Sequence, residues 1–183
     1  MKQLAEDEDG LILDSMSGSG TLDTIINDNG TTPANTDLAD FRTAISTLEA
    51  ANAPKPYWAV YHPTSWAKLV ADLDDASAFA SVGQQIVEGF APGFPSLNGF
   101  VGAPYGVSVF ISTKIPATLG AGTIYENFMF SPQAVGYAFL QDLGIDVDDN
   151  VTARAMDLMA WYSGDAAVIA SDFGVQIHDD IDG

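Results

Sequence analysis

The sequence predicts an α+β fold, and three observations carry that prediction. Two segments between residues 37 and 73 place apolar residues at helical spacing, the chain from Tyr105 onward is dominated by short alternating apolar runs, and Gly/Pro clusters separate the elements. With 183 residues, 47% of them hydrophobic, the chain has enough apolar surface for one compact or elongated domain.

Lys2 to Met16 reads as the end of a helix followed by a turn, with Leu4, Leu11, Ile12 and Met16 as its apolar positions and Gly10 interrupting it. Residues 17–36 are rich in Gly, Ser, Thr and Asn and read as a loop with one short strand at Leu22 to Ile26. A helix follows, capped by Thr36 or Asp37, with Leu38, Phe41, Ile45 and Leu48 on one face and Pro54 and Pro56 beyond its end. Tyr57 to Tyr61 predicts a buried strand, and His62-Pro63-Thr64 turns the chain into a second helix capped by Thr64 or Ser65 and striped by Trp66, Leu69, Val70 and Leu73. Four Gly and three Pro between Gly89 and Pro104 predict an irregular loop. Strands are expected at Val107 to Ile111, Thr123 to Phe130 and Ala134 to Gln141, followed by an acidic turn over Asp142 to Asn150 with a short extended piece at Ile145 to Val147. Val151 to Tyr162 reads as either helix or strand, ended by Gly164-Asp165. Ala167 to Ile169 and Val175 to Ile177 read as a closing hairpin.

Twenty-five acidic residues against six basic ones give a net charge of −19. Such a surface repels phosphate backbones, which argues against nucleic-acid binding. It fits solubility by self-repulsion or adaptation to high salt. There is no cysteine, so disulfides, thiolate metal sites and cysteine nucleophiles are excluded. No apolar run reaches the roughly 18–20 residues of a membrane span.

Catalytic and cofactor motifs are not found. The two histidines, His62 and His178, stand outside any metal-ligand pattern. His62 reads as a strand-to-helix junction residue donating to a backbone carbonyl, and His178 as part of an exposed acidic tail. Ser17-Gly18-Ser19-Gly20 lacks the strand-turn-helix setting of a nucleophile elbow. Asp146, Asp148, Asp149 and Asn150 form one oxygen-rich cluster and Asn27, Asp28 and Asn29 another, but neither has the ligand spacing of a calcium loop. Both are read as solvated acidic turns. No catalytic, cofactor-binding or metal residue is therefore assigned, and no cofactor.

Aromatic residues point to association. Trp58 and Trp66 are expected to fill the core. Phe90, Phe94, Leu97 and Phe100 lie in a Gly/Pro loop that one subunit can hardly bury, which makes them candidate interface anchors.

The order of several blocks carries a resemblance: LAEDEDGLIL, YWAVYHPTSWAKLV, NGFVGAPYGVSVFISTKIP, SPQAVGYAF and WYSGDAAVIASDFGVQI. Within them stand His62-Pro63, then Gly102-Ala103-Pro104 leading to Ser112 and Pro116, then Tyr162-Ser163-Gly164. In this order the chain resembles the major capsid proteins of tailed phages, the Hong Kong 97-like fold that encapsulin compartments share. The resemblance implies the central and C-terminal part of such a subunit, lacking the N-terminal arm, the extended loop and most of the spine helix. It places the end of the spine helix and a loop in residues 1–36, an axial domain in 37–122, and peripheral strands with a C-terminal tail in 123–183. It implies a non-enzymatic structural subunit of an icosahedral capsid enclosing double-stranded DNA, located in the virion and assembled in the host cytoplasm. The implied partners are copies of itself in pentamers and hexamers, with a separate chain supplying the missing N-terminal part as an option. The alternatives are an encapsulin-like shell subunit and a hydrolase using a divalent metal with His62, Asp146 and Asp148.

Overall fold

The computed structural model describes residues 2–18, 21–27, 36–75, 100–119, 123–150 and 155–180. Helix α1 spans Lys2–Met16, α2 Leu38–Ala50 and α3 Pro63–Asp75. Strands β1 (Thr24–Ile26), β2 (Trp58–Tyr61), β3 (Phe100–Gly102), β4 (Ser108–Ile111), β5 (Ala117–Leu119), β6 (Thr123–Phe130) and β9 (Gly174–Asp180) form one sheet. Strands β7 (Val135–Asn150) and β8 (Ala155–Val168) form a separate two-stranded ribbon.

The sheet runs β1-β9-β6-β2-β4-β3, with β5 flanking the first half of β6. β1 pairs with β9 and β2 with β4 in parallel, and the other neighbours are antiparallel. Strands from both sides of residue 122 are therefore hydrogen-bonded together. The expected boundary at 122/123 runs between members of one sheet.

Alternation gives the sheet two apolar faces. On one, Ala59, Tyr61, Val109, Met129, Val175 and Ile177 pack under Phe41, Ala44 and Leu48 of α2 and Leu69 of α3. On the other, Phe128 and Phe130 pack against Leu13 and Met16 of α1, with Leu22 and Ile115 beside them. Each fully buried side chain of this size contributes about 1.5–3 kcal/mol.

Local signals set the helix ends. Asp37 caps α2 in a reciprocal capping box with Asp40, the two side chains and two backbone N–H groups closing on each other. At its C-terminus Ala53 N–H donates to Leu48 O at 2.9 Å and Asn52 N–H to Glu49 O at 3.1 Å, with Asn52 at φ 57°. This is a Schellman ending with Asn in place of the usual Gly. Helix α1 continues through Gly10, contrary to the expected interruption. One glycine costs about 1 kcal/mol, and the burial of Leu13 and Met16 outweighs it.

Three further expectations are corrected. The stretch 142–150 is the outer half of β7, where Ile145 and Val147 alternate with Asp146 and Asp148 and every residue from Gly144 to Asn150 has a partner on β8. Gly164-Asp165 does not end β8, because Gly164 pairs with Phe139 and Asp165 with Ala138. Residues 167–169 and 175–177 do not form a hairpin. A 3₁₀ turn at Ser171–Phe173 hands the chain from the ribbon to the main sheet, where β9 pairs with β6 and β1.

Candidate functional site

His62 closes β2 and opens α3. Its ring Nδ1 accepts from the Thr64 backbone N–H at 3.3 Å, and its carbonyl accepts from Trp66 N–H at 3.0 Å. It is thus the N-cap of α3 in place of the expected Thr64 or Ser65, with Pro63 at the first helical position. The expected donor role is reversed: the ring accepts, so Nδ1 is unprotonated and any ring proton sits on Nε2. The imidazole stacks on Tyr125 with centroids 3.6 Å apart. Burial lowers its pKa below the ordinary histidine value, while the Asp179 charge pulls the other way.

Asp179 is fully buried on β9, and one carboxylate oxygen accepts from Thr36 N–H at 2.9 Å. Lys68 Nζ lies 3.9 Å from that same oxygen and donates to the Asp180 carbonyl at 2.6 Å. The last described strand is thereby tied to the start of α2 and to the second turn of α3. His178 is accordingly no exposed tail residue: it lies in β9 opposite Glu126, half-buried. On the other face of the sheet Glu126, also buried, accepts from Gln176 Nε2 at 2.8 Å and from Ser17 Oγ. These polar groups hold elements together. Among the described residues, no three His, Asp or Glu side chains cluster as a metal site.

The surface that offers itself for contact is a groove of about 900 Å³ between α1, the sheet and the base of the ribbon. Ile12 and Leu13 line it from α1, Trp58, Val60, Phe110 and Phe130 from the sheet, and Val135 and Tyr137 from β7, with Asp9 and Lys114 as charged members. Trp58 stands edge-on to Phe130 at 6.3 Å and is 39% exposed, so it does not fill the core as expected. Trp66 is half-buried against Tyr61.

Beyond the groove the ribbon exposes Phe139 (62%) and Leu140 (87%), and Ile169 (74%) stands just past its end. Leu140 is the extra residue of a β-bulge, since Phe139 pairs with Gly164 and Gln141 with Ser163. A bulge re-aims side chains and breaks the alternation that would hide them.

Tyr105 is a third exposed aromatic. Tyr105 and Gly106 both have positive φ (53° and 79°), and Val107 N–H donates to Pro104 O at 3.0 Å. They form the reverse turn joining β3 to β4, and Gly106 meets its demand without penalty. Tyr105 tolerates the left-handed backbone while its ring packs 6.3 Å from Phe41, with Arg42 over its face at 5.9 Å.

Of the residues singled out as interface anchors, Phe90, Phe94 and Leu97 lie outside the described residues, and Phe100 begins β3. Asp28 and Asn29 lie outside them as well. Asn27 donates to the Asp40 carboxylate at 2.7 Å, joining β1 to α2. The exposed apolar residues Trp58, Tyr105, Phe139, Leu140 and Ile169 were not anticipated as surface. The bulge that turns Leu140 outward has no sequence signature beyond FLQ interrupting an alternating run.

Solved structures share this architecture. A chain from the capsid of Ralstonia phage GP4 matches with a TM-score of 0.70 at 11% identity, over 97% of this chain and 63% of that one. The holo-SrpI encapsulin complex from Synechococcus elongatus PCC 7942 matches with a TM-score of 0.64 at 17% identity, over 100% and 64%. A chain of Mycobacterium phage Che8 gives 0.64 at 15% identity, over 96% and 59%. The fold is Hong Kong 97-like. The expected fold class is thus the observed one, although sequence identity is too low to carry function with it. No protein-family model and no curated protein sequence matches the chain. This Hong Kong 97-like chain spans about three fifths of the length of the solved chains it matches.

Proposed function

We propose that the chain is a structural subunit of an icosahedral virus capsid, associating with copies of itself in pentamers and hexamers around double-stranded DNA. The observation that carries this reading is coverage: phage capsid structures match along 97% of the chain, through the sheet, helices and ribbon alike. In a shell, function is geometric. Many weak contacts between copies bury a large area and no reacting residue is required, so the subunit is not an enzyme.

In this reading residues 37–122 contribute the axial domain, while residues 1–36 and the ribbon are peripheral. β6 and β9, as members of the shared sheet, join the two. Phe90, Phe94, Leu97 and Phe100 serve contacts within a capsomer, and the apolar groove and ribbon base serve contacts between neighbours. Segments of a coat subunit that this chain does not span are supplied by further polypeptide, on a separate chain or otherwise. The particle is the virion, assembled in the host cytoplasm.

The encapsulin complex shares the fold with a comparable TM-score, so the contents of the particle discriminate between the two shells. Size-exclusion chromatography and electron microscopy of the native particle test the proposal. Closed shells containing this chain and DNA are expected. Shells holding protein cargo without DNA would transfer the reading to a compartment, and a stable monomer absent from any particle would refute both.

A further inference from the structure

Four buried polar atoms under the helices find no hydrogen-bond partner among the described residues: Tyr61 Oη, Ser65 Oγ, Asn127 Nδ2 and Asp179 Oδ2. They come from β2, α3, β6 and β9, and each of their residues is essentially inaccessible to solvent. Strand alternation brings three of them to one face. Tyr61 shares that face with Ala59, Asn127 with Met129, and Asp179 with Val175 and Ile177, all beneath α2 and α3.

The fourth, Ser65, lies in the first turn of α3, one turn before Lys68, which reaches Asp179. The His62 N–H donates to Asn127 Oδ1 at 2.8 Å, bringing that amide to the start of the same helix. This bond also fixes the amide's orientation: its oxygen faces a donor, so Nδ2 is the end left over and can only donate. The Asp179 charge is felt at the Tyr61 hydroxyl, whose pKa burial raises and Asp40 and Asp179 raise further.

The chemistry of this junction selects its occupant. A donor-only amide, two hydroxyls that can donate or accept, and one carboxylate oxygen are buried on the adjoining elements β2, α3, β6 and β9, where an unpaired polar group is strongly unfavourable. A cation would face the Asn127 N–H and the Lys68 ammonium. An anion would face Asp179. A molecule that both donates and accepts satisfies all four, and buried waters ordinarily make two to four such bonds. We propose that one internal water molecule is bound here, donating to Asp179 Oδ2, accepting from Asn127 Nδ2, and bonded to the Tyr61 and Ser65 hydroxyls. It completes a polar junction that holds α3 to β2, β6 and β9.

Two measurements on the full chain test this. In a map that resolves solvent, a spherical peak is expected about 2.7–3.2 Å from Asn127 Nδ2 and Asp179 Oδ2. Direct Tyr61–Asp179 contact with no intervening peak would overturn the proposal, as would a peak at the metal–oxygen distance of about 2.4 Å. The second measurement is the sign of a stability change. If the water is present, Tyr61→Phe removes a satisfied hydroxyl, and the melting temperature falls by about 2–4 °C. If the hydroxyl has no partner, the same substitution leaves the melting temperature unchanged or raises it. Ser65→Ala is expected to follow the same sign, and because Tyr61→Phe keeps the ring packed on Phe41 and Trp66, loss of folding does not obscure the result.

Discussion

Burial holds the His62 pKa below the ordinary value against the opposing pull of Asp179, and the neutral ring caps α3 through its unprotonated Nδ1. The unfolded chain takes up the proton first as pH falls. This residue's contribution is therefore complete above the unfolded value, near 6.5, and is lost as pH falls from there toward the lowered folded value. His62→Asn keeps a capping acceptor without a titrating ring. Urea unfolding at pH 7.5 and 5.5 should show the variant gaining stability relative to the wild type as pH falls; a constant gap would count against it. Two glycines make a second test at this scale. A Cβ on Gly174 would lie 2.7 Å from Leu22 Cδ2, and one on Gly136 would lie 2.5 Å from Ile169 Cδ1. Leu22 is 1% exposed and confined, whereas Ile169 is 74% exposed and can swing into solvent. Gly174→Ala should therefore cost about 1–3 kcal/mol and Gly136→Ala under about 0.5 kcal/mol, despite the shorter initial contact at Gly136. Equal losses in thermal denaturation would show that local give does not decide the outcome.

Among the elements, α1 carries the clearest opportunity for stabilisation. Gly10 lies mid-helix with open space where a Cβ would stand. Gly10→Ala should stabilise the fold by about 0.5–1 kcal/mol, read as a higher melting temperature. Helix α2 shows what sequence reasoning could reach. Capped, amphipathic α2 was legible from Asp37, Phe41 and Leu48 because spacing and packing agreed, and β2, β4 and β6 were legible from apolar runs between Pro and Gly. The ribbon was not. Its outer half carries Asp at alternate positions, and Asp148 is set directly opposite Asp157 in the register. Composition alone reads such a stretch as a solvated turn, since like charges facing each other oppose pairing. Only the Ile145/Val147 alternation signals the strand, and pairing along the whole of β8 decides it. The site was legible in part: the aromatic surplus pointed to association, but which aromatics face outward depends on a bulge and on how α1 lies across the sheet.

For the whole molecule, charge and topology set the terms. A net charge of −19 on a small chain opposes both compaction and the approach of a second copy. Raising salt from 0.1 to 1 M shortens the screening length from about 10 to 3 Å. Both the melting temperature and the extent of self-association should therefore rise with sodium chloride, as calorimetry and light scattering can read; association that weakens with salt would indicate that opposite charges, not apolar surface, join the copies. The place of β9 in the sheet has a consequence of a different kind. It lies between β1, from the start of the chain, and β6, so the sheet has a gap until residues 174–180 have been synthesised. Early segments on the ribosome must wait for this strand, and closing so long a loop makes folding late and slow. Chains cut short before Gly174 are missing an interior strand and would not present the finished surface. A chain truncated before Gly174 is therefore expected to lose cooperative thermal unfolding, as calorimetry can read.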